Sequence, residues 1–353
     1  MAFQNRSVIL SLLALFSLAL LLWMGLDTLS SGGTYAYQIF TMMSWDEARS
    51  SDLKLKLLAE DEWNLHKFNM KYYKHECTAE QNNPRYAWIS ALNNDKYVIP
   101  TLVLGHLLNR LSCITNKVVL VSHKVTQLGI SALESVGFQV MVTEGLDCNF
   151  MDRAYNRPEA NKGITGTHTR LLVFNLTDYD KVIYLDSDYF PTTPLDSLFD
   201  MVHPGKLTAA YCSKPGVVDP CFNAGLVGLV PDTQTFTEVM EHWKRLSAVS
   251  CPDDQRLLWF HFANYDNWIP ISYSFNVRRE RYFPMRSFHF AGHGREPRPW
   301  EWKDRPTDLE LLSYNRPMST VMDIIALWWK YLLVVVRDEK LEQFWLSVKN
   351  LTL

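Results

Sequence analysis

The stretch VIYLDSD (Val182–Asp188) decides how this chain is read: four apolar, β-prone residues run straight into two carboxylates that flank a serine. A short continuous apolar run fits a strand buried on both faces, as in a parallel sheet. Ligands in such sheets bind beyond the carboxyl ends of the strands, where Asp186 and Asp188 would project into the crevice. Two hard carboxylate oxygens, completed by phosphate oxygens, suit Mn²⁺ or Mg²⁺. Taken alone, D-x-D is a weak signal, because carboxylates after a strand also cap helices or stay solvated.

Working outward, the same alternation recurs on both sides. Upstream lie strand Ala87–Leu92, helix Val98–Asn109, strand Lys117–Ser122, helix Thr126–Val136 and strand Phe138–Thr143, and a helix over Thr169–Asp178 leads into VIYL. Downstream come the strand CFNAGLVGLV (Cys221–Val230), a helix from Asp232 to about Leu246, the segment DDQRLLWFHF (Asp253–Phe262) and HFAGHGREPRPW (His289–Trp300). Alternating β and α segments imply right-handed crossovers and a parallel sheet. The expected class is therefore α/β, with a Rossmann-like, mostly parallel sheet flanked by helices.

Composition narrows the function. With 47% hydrophobic and 13% aromatic residues in 353, the chain can fill a core, and a net charge of -3 with scattered Lys and Arg offers no basic stripe for nucleic acid. The six cysteines (Cys77, Cys113, Cys148, Cys212, Cys221 and Cys251) match no zinc spacing, and their redox state stays open, including the pairing of Cys212 with Cys221.

Ser7–Leu26 carries no charge, and as a helix rising about 1.5 Å per residue it would span roughly 30 Å, the thickness of a bilayer core. Arg6 before it and Asp27 after it favour a type II signal anchor with a lumenal body, rather than a signal peptide cleaved near Ser30–Gly33. The expected plan is a cytoplasmic tail (1–6), a transmembrane anchor (7–26), a stem (27–84) helical over Trp45–Glu76, a catalytic domain (85–316) and a C-terminal helical segment (317–353). The last contains VMDIIALWWKYLLVVV, which Asp323 and Lys330 interrupt, so it is expected to pack on the body.

Five motifs in order between Ala87 and Trp300 resemble those of the glycogenin-like transferases, glycosyltransferase family 8. They are AWISALNNDKYVIPTLVLGHLL (Ala87–Leu108), VIYLDSD, Phe222-Asn223-Ala224-Gly225, Asp254-Gln255, and His289-Phe290-Ala291-Gly292 with Arg298-Pro299-Trp300. The resemblance implies a glycosyltransferase-A type fold and a metal-dependent transferase that retains anomeric configuration. It would move a hexose or N-acetylhexosamine from a UDP-sugar to a glycan or glycoprotein acceptor at the Golgi membrane, with homodimerisation left open. It implies Asp186, Asp188 and His289 as ligands of Mn²⁺, with Mg²⁺ as the alternative, and Ser187 beside the donor. Asn94 and Tyr97 would hold uracil and ribose. Gly292 would let the backbone approach the diphosphate, and Arg298 would neutralise it. Arg170, Asn223, Asp254 and Gln255 would surround the sugar, with Arg170 facing the diphosphate as well.

Other readings compete at particular residues. His289 alone would suit a buried core histidine, Asn223 a turn before Gly225, and Asp254 a helix N-cap. Arg295 competes with Arg298, because extra residues separate Gly292 from Trp300. Cys251 stands where glycogenin has an acidic residue near the acceptor, which disfavours glucose chemistry. An inactive family member serving as a membrane-bound glycan-binding or scaffold protein is the alternative function, against which the intact D-x-D, histidine and D-Q argue. A haloacid-dehalogenase-type phosphatase would want Thr or Val where Phe190 stands. The sequon at Asn175 falls in a helix expected to pack on the sheet. If Ser7–Leu26 is an anchor, the body should be protease-protected in intact microsomes and stay with the membrane after carbonate washing; a soluble, shortened chain would show cleavage instead.

Overall fold

The apolar run before the two aspartates forms the central strand of a seven-stranded sheet. The structure, a computed structural model, describes residues 74–78, 81–146, 167–213, 221–247, 253–262, 267–278, 282, 284–291, 298–302 and 321–351. Its strands are β1 (Tyr86–Leu92), β2 (Lys117–Ser122), β3 (Gln139–Thr143), β4 (Lys181–Leu185), β5 (Tyr189–Pro191), β6 (Leu207–Tyr211), β7 (Phe222–Leu229), β8 (Trp268–Ile271) and β9 (Ser287–His289). The sheet order is β3-β2-β1-β4-β7-β6-β8, and β7 alone runs antiparallel to both its neighbours. The mostly parallel α/β sheet expected from the alternation is therefore present.

Helices cover both faces. They are α1 (Val98–Leu111), α2 (Gln127–Ser135), α3 (Thr233–Ser247), α4 (Asp254–Phe262), α5 (Met322–Asp338) and α6 (Glu342–Leu351). Because strand side chains alternate, Val182 and Tyr184 join a core with Leu171, Phe174, Val239 and Leu257, while Ile183 and Leu185 join another with Trp88, Leu104 and Phe199. Tyr184 is thereby placed on the side of Arg170. Helix α5 buries Ile324, Ile325, Trp328, Leu332 and Val335, and sets Tyr331 against Phe190 and Trp328 against Trp300. No helix among the described residues is long and apolar enough to cross a membrane, and Ser7–Leu26 lies outside them.

Two expectations change. The helix expected over Thr169–Asp178 is a 3-10 helix, Thr167–Asn175. Its buried residues are His168, Thr169, Leu171, Val173 and Phe174. Asn175 ends that helix exposed to solvent instead of packed on the sheet. The stem helix expected to reach Glu76 does not include residues 74–76, and most of that segment lies outside the described residues.

The cysteines that spacing left unassigned form two disulfides among the described residues, Cys77–Cys113 and Cys212–Cys221. The first ties the segment before β1 to the end of α1, where His75 N–H also donates to Arg110 O at 2.7 Å. The two cysteines are 36 residues apart. Closing a loop of that length restricts the unfolded chain by about 3–4 kcal/mol in the chain-entropy model. Replacing both Cys77 and Cys113 by serine should lower stability on that scale in denaturant titration, and non-reducing peptide mapping should recover the Cys77–Cys113 pair.

Candidate active site

The turn after β4 is held at both ends. Asp186 N–H donates to Gly225 O at 2.9 Å and Asp186 O accepts from Tyr189 N–H at 3.0 Å, so the chain reverses within LDSDY and enters β5. Strand β5 pairs antiparallel with β9, with Tyr189 opposite His289. This brings together residues 101 positions apart: His289 Nε2 lies 3.0 Å from Asp188 Oδ1 and 3.4 Å from Asp186 Oδ2. Asp186, Asp188 and His289 each offer a ligand atom, and these lie within 4.8 Å of one another. Two carboxylates and an imidazole converging at this spacing fit a divalent cation.

Arg170 is the counter-ion of the pocket. Its Nη2 is 2.8 Å from Asp186 Oδ1, its Nε 2.5 Å from Asp254 Oδ2, and its Nη1 donates to Ala224 O at 2.8 Å. The guanidinium also lies over the Tyr184 ring at 4.8 Å, and Tyr184 Oη donates to Asp186 Oδ1 at 2.8 Å. Through these contacts Arg170 orders Asp186 and Asp254. Burial opposes charge on Asp186, but Arg170 and His289 outweigh it and hold that carboxyl down at about 2. For Asp254, only 6% exposed, burial wins over the same guanidinium and its pKa is raised. The cap of α4 is Asp253, whose Oδ1 accepts from Arg256 N–H at 2.7 Å, so Asp254 is free of capping and points inward.

Strand β7 supplies the floor. Its register against β6 slips so that Val227 faces Ala209 while Asn223 faces Ala210, a bulge that takes Ala224 and Gly225 out of that ladder. Their amides bond side chains instead: Ala224 N–H donates to Gln255 Oε1 at 3.1 Å and Gly225 N–H to Asn223 Oδ1 at 3.1 Å. Asn223 Nδ2 also donates to Gln255 Oε1 at 2.7 Å. Asn223 is thus a strand residue and not part of a turn. Only glycine fits at position 225, because a Cβ there would lie 2.1 Å from Cε1 of His289.

The cluster around Asn94 and Tyr97 is assembled separately. Asn94 caps the 3-10 turn Asp95–Tyr97 by accepting from Lys96 N–H at 3.1 Å. Arg298 Nη1 donates to Tyr97 Oη at 3.4 Å, Trp300 lies against the Tyr97 ring, and Lys96 pairs with Glu301 at 2.8 Å. Burial lowers the pKa of Arg298, but Tyr97, Asp188 and Glu301 raise it overall. Gly292 and Arg295 lie outside the described residues. Sequence reasoning missed Asn276, fully buried, whose Oδ1 is 3.0 Å from His289 Nδ1. It also missed Tyr184 as a partner of Asp186. No motif marks Asn276, whereas the strand alternation carries the signal for Tyr184.

Residues 89–289 match the family model described as "Glycosyl transferase family 8", over more than half of the chain. The chain belongs to glycosyltransferase family 8. Human glycogenin-1 is 26% identical over 262 residues, covering 69% of this chain and 70% of that protein. The putative UDP-glucuronate:xylan alpha-glucuronosyltransferase 4 of Arabidopsis thaliana is 23% identical over 190 residues, or 52% of this chain and 31% of that protein. Among solved structures, the apo form of the glycosyltransferase GlyE from Streptococcus pneumoniae TIGR4 aligns with a TM-score of 0.49 at 17% identity, covering 72% of this chain and 63% of that one. The family makes this chain a sugar transferase of the glycogenin-like kind.

The site also sets a pH dependence. Burial would lower the pKa of His289, but Asp188 and Asp186 raise it to about 9, so between 6.5 and 9 the folded protein without metal holds a proton that the unfolded chain has lost. That contribution is complete below 6.5 and is lost as pH rises through 9. In EDTA, the melting temperature of the parent protein should fall across pH 6.5–9 relative to that of His289→Gln; parallel curves would contradict the buried imidazolium.

Proposed function

We propose that this chain is a metal-dependent, retaining transferase that moves a hexose or N-acetylhexosamine from a UDP-sugar to a glycan or glycoconjugate acceptor. The convergence of Asp186, Asp188 and His289 from β4 and β9 carries the proposal. When bound there, Mn²⁺, or Mg²⁺ as the alternative, would supply positive charge against the leaving diphosphate. The other roles belong to the chain itself. Asn94 and Tyr97 receive the nucleoside, and Arg298, with Gly292 in the segment before it, addresses the diphosphate. Asp186, Ser187 and Asp188 line the donor on the other side.

Asp254 and Gln255 face the sugar from the start of α4. Gln255 Oε1 already accepts from Asn223 Nδ2 and Ala224 N–H, which leaves its amide Nε2 to donate to a sugar hydroxyl. Asp254, held by Arg170, supplies negative charge near an oxocarbenium-like centre. The disulfides Cys77–Cys113 and Cys212–Cys221 favour an oxidising compartment, and with the uncharged run Ser7–Leu26 they support a type II protein with its body in the Golgi lumen.

A panel of UDP-sugars that includes UDP-glucuronate, the donor in the name of the Arabidopsis relative, should show UDP release that depends on Mn²⁺ and is abolished by EDTA. Asp188→Asn should lower that activity by about 10²–10³, the scale for losing one preorganised electrostatic element. The product should be α-linked by NMR from an α-linked donor. EDTA-insensitive release, or a β-linked product, would overturn the reading.

A further inference from the structure

The buried amides around β7 have a polarity that can be worked out from groups with no choice of role. A backbone N–H only donates, so the Asn223 atom that meets Gly225 N–H at 3.1 Å is the carbonyl Oδ1. The Gln255 atom that meets Ala224 N–H at 3.1 Å is likewise Oε1. The group of Asn223 facing Gln255 Oε1 at 2.7 Å must then be its Nδ2, which agrees with the first assignment. Asn276 meets Asn223 Oδ1 at 2.8 Å, so that end of Asn276 is Nδ2 and the other end is Oδ1. Oδ1 of Asn276 lies 3.0 Å from His289 Nδ1 and has only an acceptor to offer, so Nδ1 must carry a proton. Nε2 is then the nitrogen whose lone pair can serve a cation beside Asp188 and Asp186.

We infer that Asn276 is a positioning residue for the metal site: it fixes His289 with Nδ1 protonated and Nε2 as the ligand atom, under instruction from the bulged amides of β7 through Asn223. This rests on the metal-dependent reading above. Gln255, Asn223, Asn276 and His289 then form one chain of hydrogen bonds, so the sugar end and the metal end of the pocket are oriented by the same two peptide groups. Asn276 and His289 are 0% and 2% exposed, and neither competes with water for these bonds. The covalent route between them is short as well, since His289 N–H donates to Val277 O at 2.8 Å, one residue beyond Asn276.

The test is Mn²⁺ affinity of the purified full chain, read by electron paramagnetic resonance of free Mn²⁺ with melting temperature recorded alongside. Asn276→Leu, which cannot accept from Nδ1, should bind Mn²⁺ roughly 10–100-fold more weakly, the usual cost of losing a group that orients a ligand. Asn276→Asp keeps the acceptor toward Nδ1 while it exchanges the donation to Asn223 for a buried negative charge beside the imidazole, so its affinity should stay within about threefold of the parent or be tighter. In a His289→Ala background Asn276→Leu should cause no further loss, because it acts through that imidazole. Binding by Asn276→Leu within about twofold of the parent, or an equal additional loss in the His289→Ala background, would overturn the inference. Should Asn276→Leu not fold, Asn276→Asp decides it, and a tenfold or greater loss there is contrary. Unchanged Mn²⁺ affinity in His289→Ala alone would remove His289 from the metal site and with it the inference about Asn276, whereas no Mn²⁺ binding by the parent chain would remove the metal-dependent reading itself.

Discussion

Arg170, paired with both Asp186 and Asp254, is the interaction on which the pocket depends. Three acidic side chains converge where β4, α4 and β9 meet, and each would be costly to remove from water without an opposing charge. The guanidinium answers two of them from one planar fork, uses its remaining edge on Ala224 O and rests its face on Tyr184. His289 answers Asp188 from the other side. Because Arg170 sits on the 3-10 helix, Asp186 after β4, Ala224 in β7 and Asp254 at the start of α4, this one side chain sets four elements against each other. Lysine has the charge but no planar fork to reach all three oxygens.

A second constraint comes from β7, the strand that runs against its neighbours. An unbroken ladder would have consumed the amides of Ala224 and Gly225 in sheet hydrogen bonds. The slip against β6 releases them for Gln255 and Asn223, while Gly225 O still accepts from Asp186 N–H. The missing side chain at Gly225 makes room for the imidazole of His289. The bulge thus joins Gln255 and the surroundings of His289 through backbone groups, which keep their positions better than side chains on loops do.

The cluster around Tyr97 follows a different logic. Tyr97, Lys96 and Asn94 lie just beyond β1, and the residues that meet them, Arg298, Trp300 and Glu301, come from about two hundred positions later. Trp300 also contacts Trp328 of α5, so that helix backs the segment that meets Tyr97. Asp323 and Lys330, which interrupt the apolar run of α5, are compatible with a helix that buries one face only.

The sequence by itself determined the elements and their order. Alternation at period two and 3.6, the apolar run before Asp186 and the spacing of five motifs each depend on neighbours a few residues apart, and the mostly parallel sheet follows from them. It also pointed to Asp186, Asp188, His289, Asn223, Asp254, Gln255, Tyr97 and Arg298 through resemblance, and the fold gathers these into two clusters. Tertiary structure alone decided what each residue touches. The pairing of β5 with β9 places His289 beside Asp188, and a shift of one residue would turn the imidazole to the opposite face. The commitment of Arg170 to carboxylates, the bulge at Ala224–Gly225 and the role of Asn276 arise from contacts across fifty to a hundred residues. Local periodicity carries no record of such register, because it is fixed by the packing of a whole sheet and the need to pair every buried charge.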